Sequence, residues 1–161
     1  MKALFNHHLF QIIIFSLLVF GLASCGSAPT VEKHSLTIRI SATTDVNPDL
    51  QTRPSPIILH LLELTSIDGF NRADFFALTQ NDASALGGDV LNKTEIILTP
   101  GASRETVLEL DQRSVYLGFV AEYRDIDNAR WRLSQAVVPG ETDWISVNIT
   151  KQQIEIVEVN D

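Results

Sequence analysis

From residue 35 onward the chain predicts an all-β fold. The expected architecture is a two-sheet β-sandwich of about eight strands, with a small helical insertion at about residues 70–88, between strands 2 and 3. Three observations carry this. Apolar and polar residues alternate with period two in one segment after another, the signature of strands buried on one face. Turn-forming residues separate the segments every 8 to 14 residues, the spacing of a sandwich. One segment, Pro56 to Thr65, is apolar on both faces and is followed by residues of helical composition, so a strand that needs a second cover meets one directly downstream.

In strand 1, Leu36, Ile38 and Ile40 alternate with Thr37, Arg39 and Ser41. The stretch from Asp45 to Pro56 breaks the alternation with three prolines and several turn residues. Strand 2 follows, with Ile57, Leu59 and Leu61 on one face and Ile58, Leu62 and Leu64 on the other. Asn71 serves as a helix N-cap with Asp74 three residues on, and Ala73 to Leu78 has helical composition. Asp82 to Leu86 reads as a second, one-turn helix stopped by Gly87-Gly88. Glu95 to Thr99 and Glu105 to Leu110 flank Pro100-Gly101, a turn of hairpin length. Val115 to Arg124 places Val115, Leu117, Phe119, Ala121 and Tyr123 on one face, and Arg130 to Val138 does the same for Trp131, Leu133 and Val137. Trp144 to Ile149 and Ile154 to Val159 complete the set. No internal repeat or low-complexity tract interrupts it.

The N-terminus is of another kind. Ile12 to Ala23 is twelve uncharged residues interrupted only by Ser16. A bilayer-spanning helix needs about 20 apolar residues, so residues 1–24 read as a secretory signal peptide that is removed. The run Leu22-Ala23-Ser24-Cys25 resembles the lipobox of bacterial lipoproteins, and Cys25 is the only cysteine in the chain. The resemblance implies acylation of the Cys25 thiol and, after cleavage, of its amine. Gly26 rather than Asp follows, which implies sorting to the outer membrane. One acyl chain binds a bilayer marginally, whereas two or more anchor stably. Residues 25–34 are then the lipidated cysteine and a linker to the domain of residues 35–161.

Charge and composition exclude several classes. The chain carries 12 Lys+Arg against 20 Asp+Glu, a formal net charge of -8. Such a balance argues against nucleic acid and against electrostatic binding to acidic headgroups. With Cys25 acylated, no thiol remains for a disulfide or a Cys-based metal site. Asp45, Asp49, Asp125 and Asp127 recur at odd spacing, but the central Gly and terminal Glu of a calcium loop are missing, so no metal or other cofactor is expected beyond the covalent lipid. There is no G-x-S-x-G nucleophile motif. His60, in an otherwise apolar strand, is expected to be a hydrogen-bonded neighbour of the core. Arg130 or Arg132 is expected to pair with Glu122, Asp125 or Asp127.

At the level of motifs the chain resembles a known family. The run NPDLQTRPSPIILHLLEL from Asn47, then Phe70-x-x-ADFFAL, then TPGAS from Thr99, then GFVAEYRDIDNARWR from Gly118, resembles the VasD/TssJ lipoproteins of type VI secretion systems. One position departs: Thr52 stands where the family pattern has Gly before Arg-Pro. The resemblance implies a transthyretin-like sandwich and a structural, non-enzymatic role. It implies an outer-membrane lipoprotein, on the periplasmic face, that binds the periplasmic C-terminal domain of the inner-membrane protein TssM, with TssL in the same complex and no small-molecule substrate. It also implies that the first inter-strand loop makes the contact, here Asp45, Val46, Asn47, Pro48, Asp49, Leu50, Gln51, Thr52 and Arg53. Within that loop Val46 and Leu50 are the expected apolar anchors, and the Arg124 to Ala129 segment, with Asp125, Ile126 and Asp127, is expected to give support. For Asn47 a hydrogen bond to its own backbone is the favoured role.

Strand parity points to the same end. If consecutive strands run antiparallel, all odd-to-even connections gather at one end and all even-to-odd connections at the other. The linker and the insertion then share an end, and the 42–55 loop, the Pro100-Gly101 turn, the 125–129 loop and the Lys151-Gln152 turn share the opposite one. Rival readings are a periplasmic small-molecule carrier on the same sandwich, since fold does not fix function, and a lipid-anchored surface adhesin.

Overall fold

The computed structural model describes residues 34–80 and 83–160. The expected signal peptide, Cys25 and the expected linker up to residue 33 lie outside the described residues; His34, expected to end that linker, is instead the first residue of a strand. Strands β1 (His34–Ala42), β4 (Ser103–Leu110), β7 (Trp144–Ile149) and β8 (Ile154–Asn160) form one sheet, ordered β4-β1-β7-β8. Strands β2 (Ile57–Leu64), β3 (Val90–Leu98), β5 (Tyr116–Ala121) and β6 (Arg132–Ala136) form the other, ordered β3-β2-β5-β6. Every pairing is antiparallel except β1 with β7, as alternating strand directions require of two odd strands side by side.

The core lies between the sheets. Leu36, Ile38 and Ile40 of β1 meet Ile57, Leu59 and Leu61 of β2, with Leu117, Phe119 and Ala121 of β5 and Ile145, Val147 and Ile149 of β7. Each such aliphatic side chain contributes about 1.5–3 kcal/mol by leaving water. The face of β5 extends through Tyr123 as expected, but Val115 at its start is exposed.

The two-faced character of β2 has the expected consequence. Leu62 and Leu64 look away from the sandwich core and form a second cluster with Val120, Phe70, Leu78 and Leu86. The cover comprises two short helices, α1 (Asp68–Arg72) and α2 (Phe75–Thr79), and a 3-10 segment (Ala83–Asp89). Asn71 lies inside α1 rather than capping a helix; Asp74 is the cap, accepting from the Ala77 amide at 2.8 Å, because the chain turns extended at Ala73 before restarting. The 3-10 segment is broken at Gly87, whose φ of 61° only glycine adopts without strain.

Two further expectations are corrected. The Pro100-Gly101 turn does not join a hairpin: β3 pairs with β2 and β4 with β1, so the turn carries the chain from one sheet to the other. The Thr43 carbonyl fixes it there by accepting the Gly101 amide at 3.2 Å. Arg132 does not pair with a carboxylate; its Nη1 donates to the carbonyls of Phe70 and Ala73 at 3.1 and 2.8 Å, and its guanidinium stacks over Trp131. Neutral carbonyls left open by the end of α1 outcompete the exposed acids because they would otherwise be buried unpaired.

Candidate partner-binding site

The β1–β2 loop is held by its own acids and amides. Asp49 accepts from the amides of Gln51 and Arg53, both at 2.9 Å, and from Arg53 Nε at 2.8 Å, with Arg53 Nη2 at 2.7 Å. These Arg53 bonds hold its carboxyl below the usual carboxylate range. The Asp49 amide donates to the Arg53 carbonyl and the Thr52 amide to the Asp49 carbonyl, closing a compact turn. Thr52 takes a left-handed φ of 64°, the reason a glycine suits this position. Leu50, at the tip, is 98% exposed.

The loop is then pegged to its neighbour. Asn47, itself left-handed and buried, donates Nδ2 to the Pro56 carbonyl at 2.8 Å and accepts the Arg124 amide at 2.8 Å. It thus bonds the backbone of its own loop at Pro56, as expected, and also ties that loop to the one at Arg124. The Tyr123 hydroxyl donates to the Thr150 carbonyl at 3.0 Å, and burial pushes its pKa up. Asp125 accepts from Asn128 Nδ2 at 2.9 Å and from Gln152 Nε2 at 3.4 Å. Three connections, β1–β2, β5–β6 and β7–β8, thus converge on a groove of about 720 Å³ lined by residues 47–53, 123–125 and 151–152.

Of the residues singled out from the sequence, Asn47, Pro48, Asp49, Leu50, Gln51, Thr52, Arg53 and Asp125 line this groove. Val46 does not. It is fully buried between the sheets, so the apolar anchor role inferred for it is corrected to a core role. Asp45 lies outside the lining and is held by the Thr43 hydroxyl at 2.7 Å. Ile126 and Asp127 belong to the neighbouring loop but also fall outside the lining. Tyr123, Arg124, Lys151 and Gln152 complete the wall. Lys151 and Gln152 carry no motif of their own; only strand parity brings their turn to this end.

The opposite end holds His34, where the chain enters β1, and the 111–115 and 137–143 turns. His34 pairs with Leu110, and the Val115 amide donates to Leu64 at the end of β2. His60 is the expected hydrogen-bonded core neighbour: it is buried in β2, with Nε2 2.5 Å from Glu122 Oε1. Among the described residues no three His, Cys, Asp or Glu side chains are arranged to hold a metal ion, and no helix is long and apolar enough to cross a membrane.

A family model described as type VI secretion lipoprotein (VasD, EvfM, TssJ) matches residues 34–152, well over half of the chain. The solved structure of the type VI secretion lipoprotein TssJ1 from Pseudomonas aeruginosa is 37% identical, with a TM-score of 0.76, covering 81% of this chain and 98% of that one. Serratia marcescens Lip, a membrane-bound component of the type VI secretion system, is 26% identical with a TM-score of 0.73, covering 81% of this chain and 100% of that one. A chain in the structure of the type VI secretion protein TssM C-terminal domain from EAEC shares the fold alone, at 20% identity and a TM-score of 0.66 over 80% of this chain and 100% of that one. No curated protein matches the chain.

Proposed function

Because this chain belongs to the family of type VI secretion lipoproteins that includes VasD, EvfM and TssJ, we propose that it is a non-enzymatic tether in the envelope complex of such a system. Cys25 carries the acyl chains and holds the protein on the periplasmic face of the outer membrane. The groove end binds the periplasmic domain of TssM, and TssL stands in the same complex. The observation that carries this reading is the polarity of the sandwich. His34, which continues from the lipid-bearing segment, starts β1, whereas the braced β1–β2 loop with its exposed Leu50 follows the far end of the same strand. A nine-residue strand spans about 30 Å, so the point where the chain enters β1 and the groove loop lie at opposite ends of that strand. A partner rooted in the inner membrane meets the groove end first.

The loop suits the task physically. Asp49 and the prolines fix its conformation before binding, so little ordering entropy opposes association. The exposed Leu50 side chain on such a scaffold gains about 25 cal/mol for each Å² of apolar surface that a partner buries. The test replaces Leu50, Gln51 and Thr52 together by glycine, which preserves Asp49, Arg53 and the left-handed position. Capture of the TssM periplasmic domain is expected to fall by at least about tenfold, while near-ultraviolet circular dichroism stays unchanged. Cys25→Ser is expected to release the protein from the membrane fraction without altering that capture. Undiminished capture by the triple variant would sink the assignment of this end.

A further inference from the structure

We infer that the groove receives a partner segment bearing a carboxylate, with Arg124 and Lys151 as the anion-binding pair and Leu50 as the adjacent apolar contact. This deepens the reading above, on which it rests, by assigning the chemistry of what enters.

Most charged groups of the lining are already engaged. Of the two carboxylates in the lining, Asp49 is held by Arg53 and by two backbone amides, and Asp125 by Asn128 and Gln152. The Tyr123 hydroxyl donates to Thr150. Arg53, the third cation of the lining, is held by Asp49. Arg124 and Lys151 are different. Both side chains are exposed, and among the described residues neither makes a hydrogen bond or ion pair. Their backbones are nonetheless fixed: the Arg124 amide donates to Asn47 Oδ1 at 2.8 Å, and Lys151 sits in a turn closed by the Thr150 amide on the Gln153 carbonyl at 2.8 Å. In a chain of net charge -8, the unpaired charge of this groove is therefore two cations on rigid supports. Arginine in particular presents a planar donor fork matched to a carboxylate.

A protein segment fits better than an anionic lipid surface. The strands carry the groove away from His34 and from Asn160, the last described residue, which pairs with Trp144 at the opposite end. The overall negative charge also opposes approach to an anionic membrane.

The experiment measures the dissociation constant for the TssM periplasmic domain, using the full acylated chain in detergent. It compares the parent, the Arg124→Glu/Lys151→Glu variant and the Leu50→Ala variant. The double reversal is expected to weaken binding by about tenfold to a hundredfold at low salt, with the deficit shrinking steeply near 0.5 M salt. The Leu50→Ala deficit is expected to be insensitive to salt. A single Asp→Lys or Glu→Lys exchange in the partner is expected to restore binding to the double-reversed chain. If the double reversal binds like the parent while Leu50→Ala weakens binding, the anion-binding pair is overturned and the assignment of the groove end stands. If neither variant weakens binding, both fall. Loss of binding to phosphatidylglycerol vesicles by the double reversal, with partner binding unchanged, assigns the cations to lipid and also overturns the inference.

Discussion

Asn47 and Thr52 both hold left-handed backbone in the groove loop, at φ values of 49° and 64°, and they do so for different reasons. Asparagine tolerates that region, and here both ends of its amide are used, on Pro56 and on Arg124. Threonine is β-branched and does not tolerate it well. Its backbone is held in place by the Asp49 turn while its side chain stays exposed. Thr52→Gly is therefore expected to stabilise the protein by about 0.5–1 kcal/mol, the strain released less the entropy cost of glycine. Thermal unfolding should show the midpoint rising by about 2–4 °C, and a fall would mean that the Thr52 side chain contributes more than its backbone costs. The sequence marked this position, since the family pattern has glycine there. It could not mark the bond from Asn47 to Arg124, because the two residues lie 77 apart and nothing local distinguishes a bridging asparagine from one closing its own turn. Val46 misled for a related reason: an apolar residue among prolines and acids looks exposed until the loop is seen to dip back into the core.

Among the elements, the helical insertion shows most clearly how much a strand pattern can announce. The outer face of β2 demanded a cover, and Phe70 and Leu78 supply it over Leu62 and Leu64. What closes the fit is Gly118 in β5, where an added Cβ would stand 2.6 Å from the Phe70 ring. Lys93 of β3 secures the far side, donating to the Leu78 and Thr79 carbonyls at 3.0 and 2.8 Å and so occupying the open end of α2. The ring of Phe70 is fully buried and cannot swing aside into solvent without uncovering Leu62 and Leu64. Gly118→Ala is expected to cost about 1–3 kcal/mol by overpacking. Hydrogen exchange should speed up in residues 68–80 while β1 and β7 keep their protection, since the inter-sheet core does not include Phe70. Pairing the change with Phe70→Leu should recover part of the loss, the mark of a direct contact. Equal acceleration in β1 and β7 would show that the insertion and the sandwich unfold as one. The cap at Asp74 and the path of Arg132 were not legible, because both depend on the chain breaking between two helices that composition alone presents as one.

Across the whole molecule, strand direction decides what each end can do. Alternation of direction was readable from turn spacing, and it holds through both sheets even though the pairing of β3 and β4 differs from a simple hairpin order. Parity survives that error because a turn reverses the chain whether it stays in one sheet or crosses to the other. One consequence concerns the C-terminus: β8 runs back along β7, so Asn160 pairs with Trp144 near the end where His34 enters. Both ends of the described domain therefore lie away from the groove. An affinity tag fused after Asp161 is expected to leave binding of the TssM periplasmic domain within about twofold of the untagged chain. The same tag placed between Ile126 and Asp127, in an exposed turn beside the groove, should leave the melting temperature within a few degrees. There it should weaken binding by about tenfold or more, equivalent to at least about 1.4 kcal/mol. Sedimentation of the complex at fixed partner concentration distinguishes the two chains. Strong interference from the C-terminal tag, with none from the inserted one, would place the partner at the tether end and reverse the polarity on which the proposed function rests.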